Sequence, residues 1–197
     1  IENYIDWNTK KLGEVTTLVN KRNKNNEKLP VYSINNKLGF VPQSEQFEGV
    51  DSEDRGYDIK LYKIIDKNTF DYNPARINVG SIAYFTEDIG VISSLYVCFS
   101  TTDKILDYYL ELLLKLDLTK HKISSYGEGG VRIYLWYDLF KTIRIKIPDR
   151  KEQEVIVQIL KKSNDEIILF QQKLSALQQQ KKGLMKKLLT GEVRVKI

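Results

Sequence analysis

Cysteine and histidine are almost missing from this chain of 197 residues, where Cys98 and His121 stand alone. A single thiol excludes an internal disulfide, and the shortage of both types leaves a metal site little but carboxylates. No metal site is therefore expected. No secretory leader is visible, which makes the cytoplasm the expected compartment. Ile1 in turn implies that the first residue is not a translation start. Long apolar runs are absent as well. The longest uncharged stretch, Ile89 to Thr102, is too short and too polar to span a bilayer, so no membrane is expected as a partner.

The usual catalytic patterns are missing too. Ser124 and Ser125 lie near His121 in sequence, but no orienting acid or nucleophile-elbow pattern surrounds them. Gly127-Glu128-Gly129-Gly130 lacks the Lys-Ser/Thr ending of a phosphate loop, and an anion nest and a flexible turn both remain open for it. Asn73-Pro74 is similar to the start of the Asn-Pro-Pro-aromatic tetrapeptide of amino-group methyltransferases, but Ala75 and Arg76 break the pattern. No glycine-rich cofactor loop follows a first strand. The chain reads as non-catalytic, with no catalytic residue and no cofactor of its own.

What is present begins with charge. The chain carries 31 Lys and Arg against 26 Asp and Glu; residues 150–197 hold 11 against 5, leaving 20 against 21 for residues 1–149. The basic surplus thus lies at the C-terminal end, where it suits either a nucleic-acid backbone or a solvated helix. Any nucleic-acid site in the neutral remainder must be a local patch.

Residues 151–189 form the stretch around which the chain is organised. Steps of four and three from Ile156 reach Leu160, Ser163, Ile167, Phe170, Leu174, Leu177, Lys181, Leu184 and Leu188. Eight of these ten are apolar, and the mean spacing of 3.5 is that of a left-handed coiled coil. No proline follows Pro148; Asp149 is the expected N-cap and Gly191 the expected C′ residue. The rod would be roughly 57 Å long, against a radius of ~15 Å for a domain of the preceding size. It therefore calls for a partner helix, and Ile156, Leu160, Ile167, Phe170, Leu174, Leu177, Leu184 and Leu188 are its expected dimerisation residues. Periodicity alone leaves parallel and antiparallel pairing open.

Ahead of the rod the pattern is several strands with few helices: α+β, with a mixed or mainly antiparallel sheet. Trp7 to Val19 reads as a first strand or short helix. Leu29 to Val41 reads as strand, turn, strand, with Asn35 and Asn36 in left-handed turn geometry. An acidic exposed loop is expected over Gln43 to Asp58. Strands are expected over Ile59 to Ile65, from Ser81, over Ile89 to Phe99 and over Thr142 to Ile147. Between them lie an Asp66-Lys67-Asn68 turn, a Pro74 bend, a helix over Lys104 to Leu118, and a Gly-rich loop over Ser124 to Arg132. The expected division is 1–148 and 149–197.

Recognition is the remaining chemistry. The loop Asn20 to Lys28 offers Lys21 and Arg22 for phosphates; its plainer reading is a solvated loop. Asn35 and Asn36 sit in a turn, Asn73 and Arg76 beside a proline bend, and Ser124, Tyr126 and Arg132 around the glycine run. Loop Asn, Arg and Tyr on a rigid sheet are suited to base edges and phosphates, so these nine residues are the expected DNA contacts.

Several segments in combination carry a family resemblance: WNTKKLGEV, YKIIDKNTFDYNPARINVGSI, GVISSLYVCF, GGVRIYL, IKIPDRKEQEVIVQIL and LQQQKKGLMKKLLTGEVRV. The chain resembles one half of the specificity subunit of type I restriction-modification systems. The resemblance implies a target-recognition domain over 1–148 and a helical spacer and dimerisation region over 149–197. It implies a subunit that reads one half of a bipartite double-stranded DNA target and docks modification methyltransferase and restriction subunits. Those partners would use S-adenosylmethionine and ATP with Mg. It further implies two such units whose spacers pack antiparallel. This chain has one unit, as an excised half or a natural half-length subunit, so a homodimer or a second half-subunit is expected. The competing reading is a non-catalytic coiled-coil scaffold without DNA specificity.

Overall fold

Strands at the two ends of the lobe close on each other. β1 (Asn8–Lys11) pairs antiparallel with β10 (Arg144–Ile147), the strand that leads into the long helix α5 (Arg150–Leu189). The computed structural model describes residues 7–46, 58–126 and 134–196. The chain divides into two compact units, Ile1–Gln153 and Glu154–Ile197.

Two four-stranded sheets form the body of the first unit. One has the order β2 (Thr16–Val19), β9 (Val97–Thr101), β6 (Thr69–Tyr72), β7 (Ile82–Tyr84) and is antiparallel throughout. The other has the order β4 (Gly39–Pro42), β3 (Val31–Asn35), β8 (Ile89–Ile92), β5 (Lys63–Asp66), and β3–β8 is its one parallel pair. With the helices α1 (Gln43–Gln46), α2 (Asp107–Lys115), α3 (Asp117–Ser125) and α4 (Tyr137–Phe140), this is an α+β architecture followed by a long C-terminal helix. The sheet character is mixed and mainly antiparallel.

The second sheet is buried on both faces, which explains why its strands read as continuous apolar runs. Ile65 and Ile92 face a layer with Ile34, Phe85 and Cys98, whereas Ile64 and Val91 face Ile59 and Tyr62. In the first sheet the outward face is aromatic. Phe70 and Phe99 are register partners with near-parallel rings 5.2 Å apart, and Phe140 sits 5.1 Å from both Phe99 and Tyr72. Full burial of each such ring is worth ~1.5–3 kcal/mol, so this aromatic layer anchors the lobe.

Several segments differ from the sequence expectation. Ile89 to Phe99 is two strands in different sheets, because Tyr96 N donates to Ser93 O and turns the chain between them. The Asp66-Lys67-Asn68 turn likewise joins strands of different sheets, with Asn68 in the left-handed region at φ 71°. Ile59–Leu61 is a 3-10 turn capped by Asp58, and only Lys63–Asp66 is strand. The expected helix over Lys104 to Leu118 is two helices, α2 and α3, broken at the extended residue Leu116. α3 runs on to Ser125, so Ser124 is helical, its hydroxyl donating to Lys120 O at 3.0 Å, and not part of a glycine loop. Asn35 and Asn36 do not take left-handed geometry. Gly39, at φ 75°, supplies it instead, while Asn35 Oδ1 accepts from the backbone N–H groups of Lys37 and Leu38. The expected acidic loop starts as helix α1, with Gln43 buried. Residues 127–133, Arg132 among them, lie outside the described residues.

Both ends of α5 follow the sequence. Asp149 Oδ1 accepts from Glu152 N at 2.9 Å, and Gly191 at φ 74° donates its N–H to Leu188 O. The first turn belongs to the lobe through Gln153, which is fully buried. Its Oε1 accepts from Leu106 N at 2.9 Å, and its Nε2 donates to Lys104 O and Pro148 O, both at 3.1 Å.

Candidate nucleic-acid interface

The β3–β4 turn, Asn35 to Gly39, closes over the 3-10 turn Ile77–Val79. Asn36 O lies 3.9 Å from where a Cβ on Gly80 would stand. α3 packs against the same 3-10 turn, with Ile77 and Ile123 both buried. The result is an open cleft of about 750 Å³, lined by Asn35, Asn36, Lys37, Asn78, Lys115 and Lys120 among others. Its walls combine amides and cations with apolar side chains such as Phe40 and Val79, a mixture suited to base edges and phosphates.

The charges of this cleft are nearly balanced. Lys115 pairs with Glu111 at 2.6 Å and Lys120 with Asp117 at 3.3 Å. Lys37 forms no ion pair with a described residue, and it stands on an exposed turn. Exposed pairs contribute ~0–1 kcal/mol each, so these lysines can exchange carboxylate for phosphate at small cost.

Just upstream, the Tyr72–Arg76 bend is held firmly. Asn73 N donates to Ser81 O at 3.0 Å, and Asn73 Oδ1 accepts from Ala75 N at 3.0 Å. Arg76 N donates to Asn73 O, and Arg76 O accepts from Val79 N and Ser81 N. The exposed Arg76 side chain therefore leaves a fixed backbone. By contrast, the side-chain oxygens of Asn35 and Asn73 are spent on their own turns, so each offers an outside ligand mainly its amide N–H₂.

The predicted contacts fall into three groups. Asn35 and Asn36 line the cleft itself, and Asn73, Arg76, Ser124 and Tyr126 lie on the segments that lead into its 3-10 turn and its helix α3. Lys21 and Arg22 are elsewhere. Arg22 bridges to Lys63 beyond β5, and Lys21 pairs with Asp66 at 3.5 Å. That edge lies three strand spacings from β3, roughly 14 Å across the sheet. The basic loop is itself ordered by buried Asn23, whose side chain bonds both N and O of Glu27. Arg132 is outside the described residues.

Sequence reasoning missed Lys37, Asn78, Lys115 and Lys120, because only the folded turns bring them to one cleft. It also missed Tyr134 and Trp136, which flank fully buried Leu135 and expose parallel rings. Their alternation around an apolar residue was a readable strand signal.

On the long helix, the expected seam residues Leu160, Ile167, Phe170, Leu174, Leu177, Leu184 and Leu188 are exposed, from 42% at Leu160 to 68% at Phe170. Ile156 is half-buried. Among the described residues no group of three or more His, Cys, Asp and Glu is placed to hold a metal ion. Nor is any described helix long and apolar enough to cross a membrane.

Known proteins resemble this chain in sequence and in fold. The type I restriction enzyme MjaVIII specificity subunit of Methanocaldococcus jannaschii is 32% identical over 116 residues, 59% of this chain and 27% of that protein. The HsdS subunit from Thermoanaerobacter tengcongensis shares the fold at TM-score 0.65 and 16% identity, over 93% of this chain and 48% of that one. The S subunit of a type I restriction-modification system from M. genitalium does so at TM-score 0.57 and 12% identity, over 95% and 46%. The chain thus spans about a quarter of that curated relative and about half of those solved chains. A family model described as the type I restriction modification DNA specificity domain, a recognition role and not a catalytic one, matches residues 4–179. On that match, which crosses both the sheet-built lobe and most of α5, the chain belongs to the type I restriction modification DNA specificity domain family.

Proposed function

We propose that this chain is a DNA sequence-specificity subunit that reads one half of a bipartite double-stranded target for a type I restriction-modification complex. The observation that carries the reading is the family match over residues 4–179, which takes in the cleft-bearing lobe and the helix together. In this reading Asn35, Asn36, Asn73, Arg76, Ser124 and Tyr126 contact DNA around the cleft. Lys21 and Arg22 touch phosphate further along, and Arg132 is the remaining contact. Modification methyltransferase and restriction subunits dock on the chain and bring S-adenosylmethionine and ATP with Mg for their own chemistry. This chain contributes recognition alone and works in the cytoplasm.

The long helix joins two such lobes, either as a homodimer or with a second half-subunit. Charge favours the antiparallel arrangement. Residues 171–189 carry five lysines and no acid, whereas residues 150–170 carry four cations and four carboxylates. Parallel pairing would set the two lysine-rich halves side by side. Antiparallel pairing sets each against the half that holds Asp165 and Glu166. Two heads held apart in this way suit half-sites separated by whole turns of ~34 Å.

Duplex binding measured against salt, with and without a methyltransferase partner, tests the reading. A reader that neutralises several phosphates loses affinity steeply as salt rises. Duplex affinity that is flat in salt would instead identify a protein-binding scaffold. Selection from random DNA then tests the pairing: a homodimer returns an interrupted palindrome, and an asymmetric target excludes identical heads.

A further inference from the structure

Tyr134 and Trp136 stand two residues apart in extended backbone, so both side chains leave the same side while Leu135 between them is fully buried. Their rings lie 6.2 Å apart and only 6° from parallel, with Tyr134 37% and Trp136 51% exposed. The core also holds a near-parallel pair, Phe70 and Phe99, but both of those rings are covered, whereas Tyr134 and Trp136 leave theirs in solvent. A parallel exposed pair presents flat faces to a further flat partner.

This surface is held rigidly. Trp136 O accepts the N–H groups of Leu139 and Phe140 at the start of α4, which fixes its backbone. Leu135 N donates to Pro74 O at 3.0 Å, which locks the strand of the two rings onto the Asn73–Arg76 bend. An aromatic shelf is thereby fastened beside an exposed arginine. Stacking faces with an adjacent guanidinium are a combination that holds an unstacked base and reads its neighbour's edge, and they cost little ordering because the backbone is already set.

We propose that Tyr134 and Trp136 form a stacking platform for a base step of the bound DNA, with Arg76 on the neighbouring bend reading a base edge beside that step. The inference rests on the DNA-reading function above and adds a contact surface that none of the sequence motifs assigned. It implies that the base step is partly unstacked when bound, as occurs where other proteins insert apolar side chains into a duplex.

The chain has two tryptophans, so Trp7→Phe in the full-length protein leaves Trp136 as the sole indole reporter. Trp7 contributes one exposed hydrogen bond to Glu152, which the variant can lose without unfolding. Binding of a fluorescein-labelled duplex is followed by anisotropy, and Trp136 emission and acrylamide quenching are read in the same titration with unlabelled duplex. The expected result is quenched emission and a several-fold fall in acrylamide accessibility at saturation. Trp136→Ala should weaken duplex binding by ~10-fold or more, with Trp136→Phe retaining most of it. Bound duplex with unchanged Trp136 emission and accessibility overturns the platform and leaves DNA reading intact. No duplex binding at all overturns both. Protection by the methyltransferase partner alone, without DNA, marks a protein contact and also overturns the proposal.

Discussion

Asp71 and Cys98 face each other as register partners across the β6–β9 pair. Both are fully buried, and Cys98 belongs to the apolar layer between the two four-stranded sheets. Thr69 Oγ1 donates to Asp71 Oδ2 at 3.3 Å, while Oδ1 has no partner among the described residues.

Burial is the main cause that pushes the Asp71 carboxyl from its ordinary 3.8 up to about 7, against smaller opposing pulls from Cys98, Thr69 and Lys63. The folded lobe therefore holds this proton more tightly than the unfolded chain does. The resulting stabilisation is complete below about pH 4 and is lost as pH rises through about 7, a swing of roughly 4 kcal/mol. Asp71→Asn keeps the shape and cannot ionise. Its urea midpoint should stay nearly level between about pH 5 and about pH 8, where that of the parent falls. Parallel falls in both proteins would place the titrating group elsewhere.

Gln153 offers a second stability test at the root of α5. Gln153→Ala strands one N–H, of Leu106, and two carbonyls, of Lys104 and Pro148, inside the lobe. At ~1 kcal/mol or more for each unsatisfied group, the loss should be ~3 kcal/mol in chemical denaturation. A loss within ~0.5 kcal/mol, as for an ordinary surface position, would show that water replaces the side chain.

The helix was the most legible part of the sequence, because its signals are local. Asp149, Gly191 and the 3.5-residue spacing needed no knowledge of distant residues. The sheets were legible as strands but not as partners. Ile89 to Phe99 read as one strand because a sheet buried on both faces shows no alternation at which to cut it. The turn at Asp66-Lys67-Asn68 read locally as a turn, yet nothing local says that it crosses between sheets. Of the candidate interface, the Asn73–Arg76 bend was visible as a proline turn. Its proximity to Lys37 and Lys120 depends on the β3–β4 turn and α3 both meeting the 3-10 turn Ile77–Val79, contacts made only in the folded lobe. The amide-rich turns misled for a physical reason, since Asn35 and Asn73 use their acceptors to hold the very turns that display them.

Arg76 and Lys21 should separate two kinds of DNA contact. Arg76 sits on the rigid bend beside the cleft, whereas Lys21 lies at the far sheet edge with an exposed Asp66 partner. Arg76→Ala should relax discrimination at one target position by ~1–3 kcal/mol, measured as relative affinity across single-base variants of the target. Lys21→Ala should weaken all sequences alike and lower the salt slope by ~1. Uniform weakening by both would reduce Arg76 to a phosphate contact.

Leu174 and Leu177 test the pairing of the long helix. They are 56% and 52% exposed in the single chain, so carboxylates placed there meet water in the monomer and leave the lobe untouched. In a paired seam each leucine contributes ~1.5–3 kcal/mol of burial, and a two-fold pair loses both residues from both chains. The introduced charges add a desolvation penalty that a dimer must carry and a monomer does not. Leu174→Asp with Leu177→Asp should therefore give a folded protein of monomer mass by light scattering, where the parent has twice that mass. Its duplex binding should persist only weakly, since one head reads half a target. Circular dichroism serves as the control, because separated coils lose part of their helix signal while the sheet signal of the lobe stays. Parent and variant of equal mass would mean that this face covers something other than a second copy of the helix.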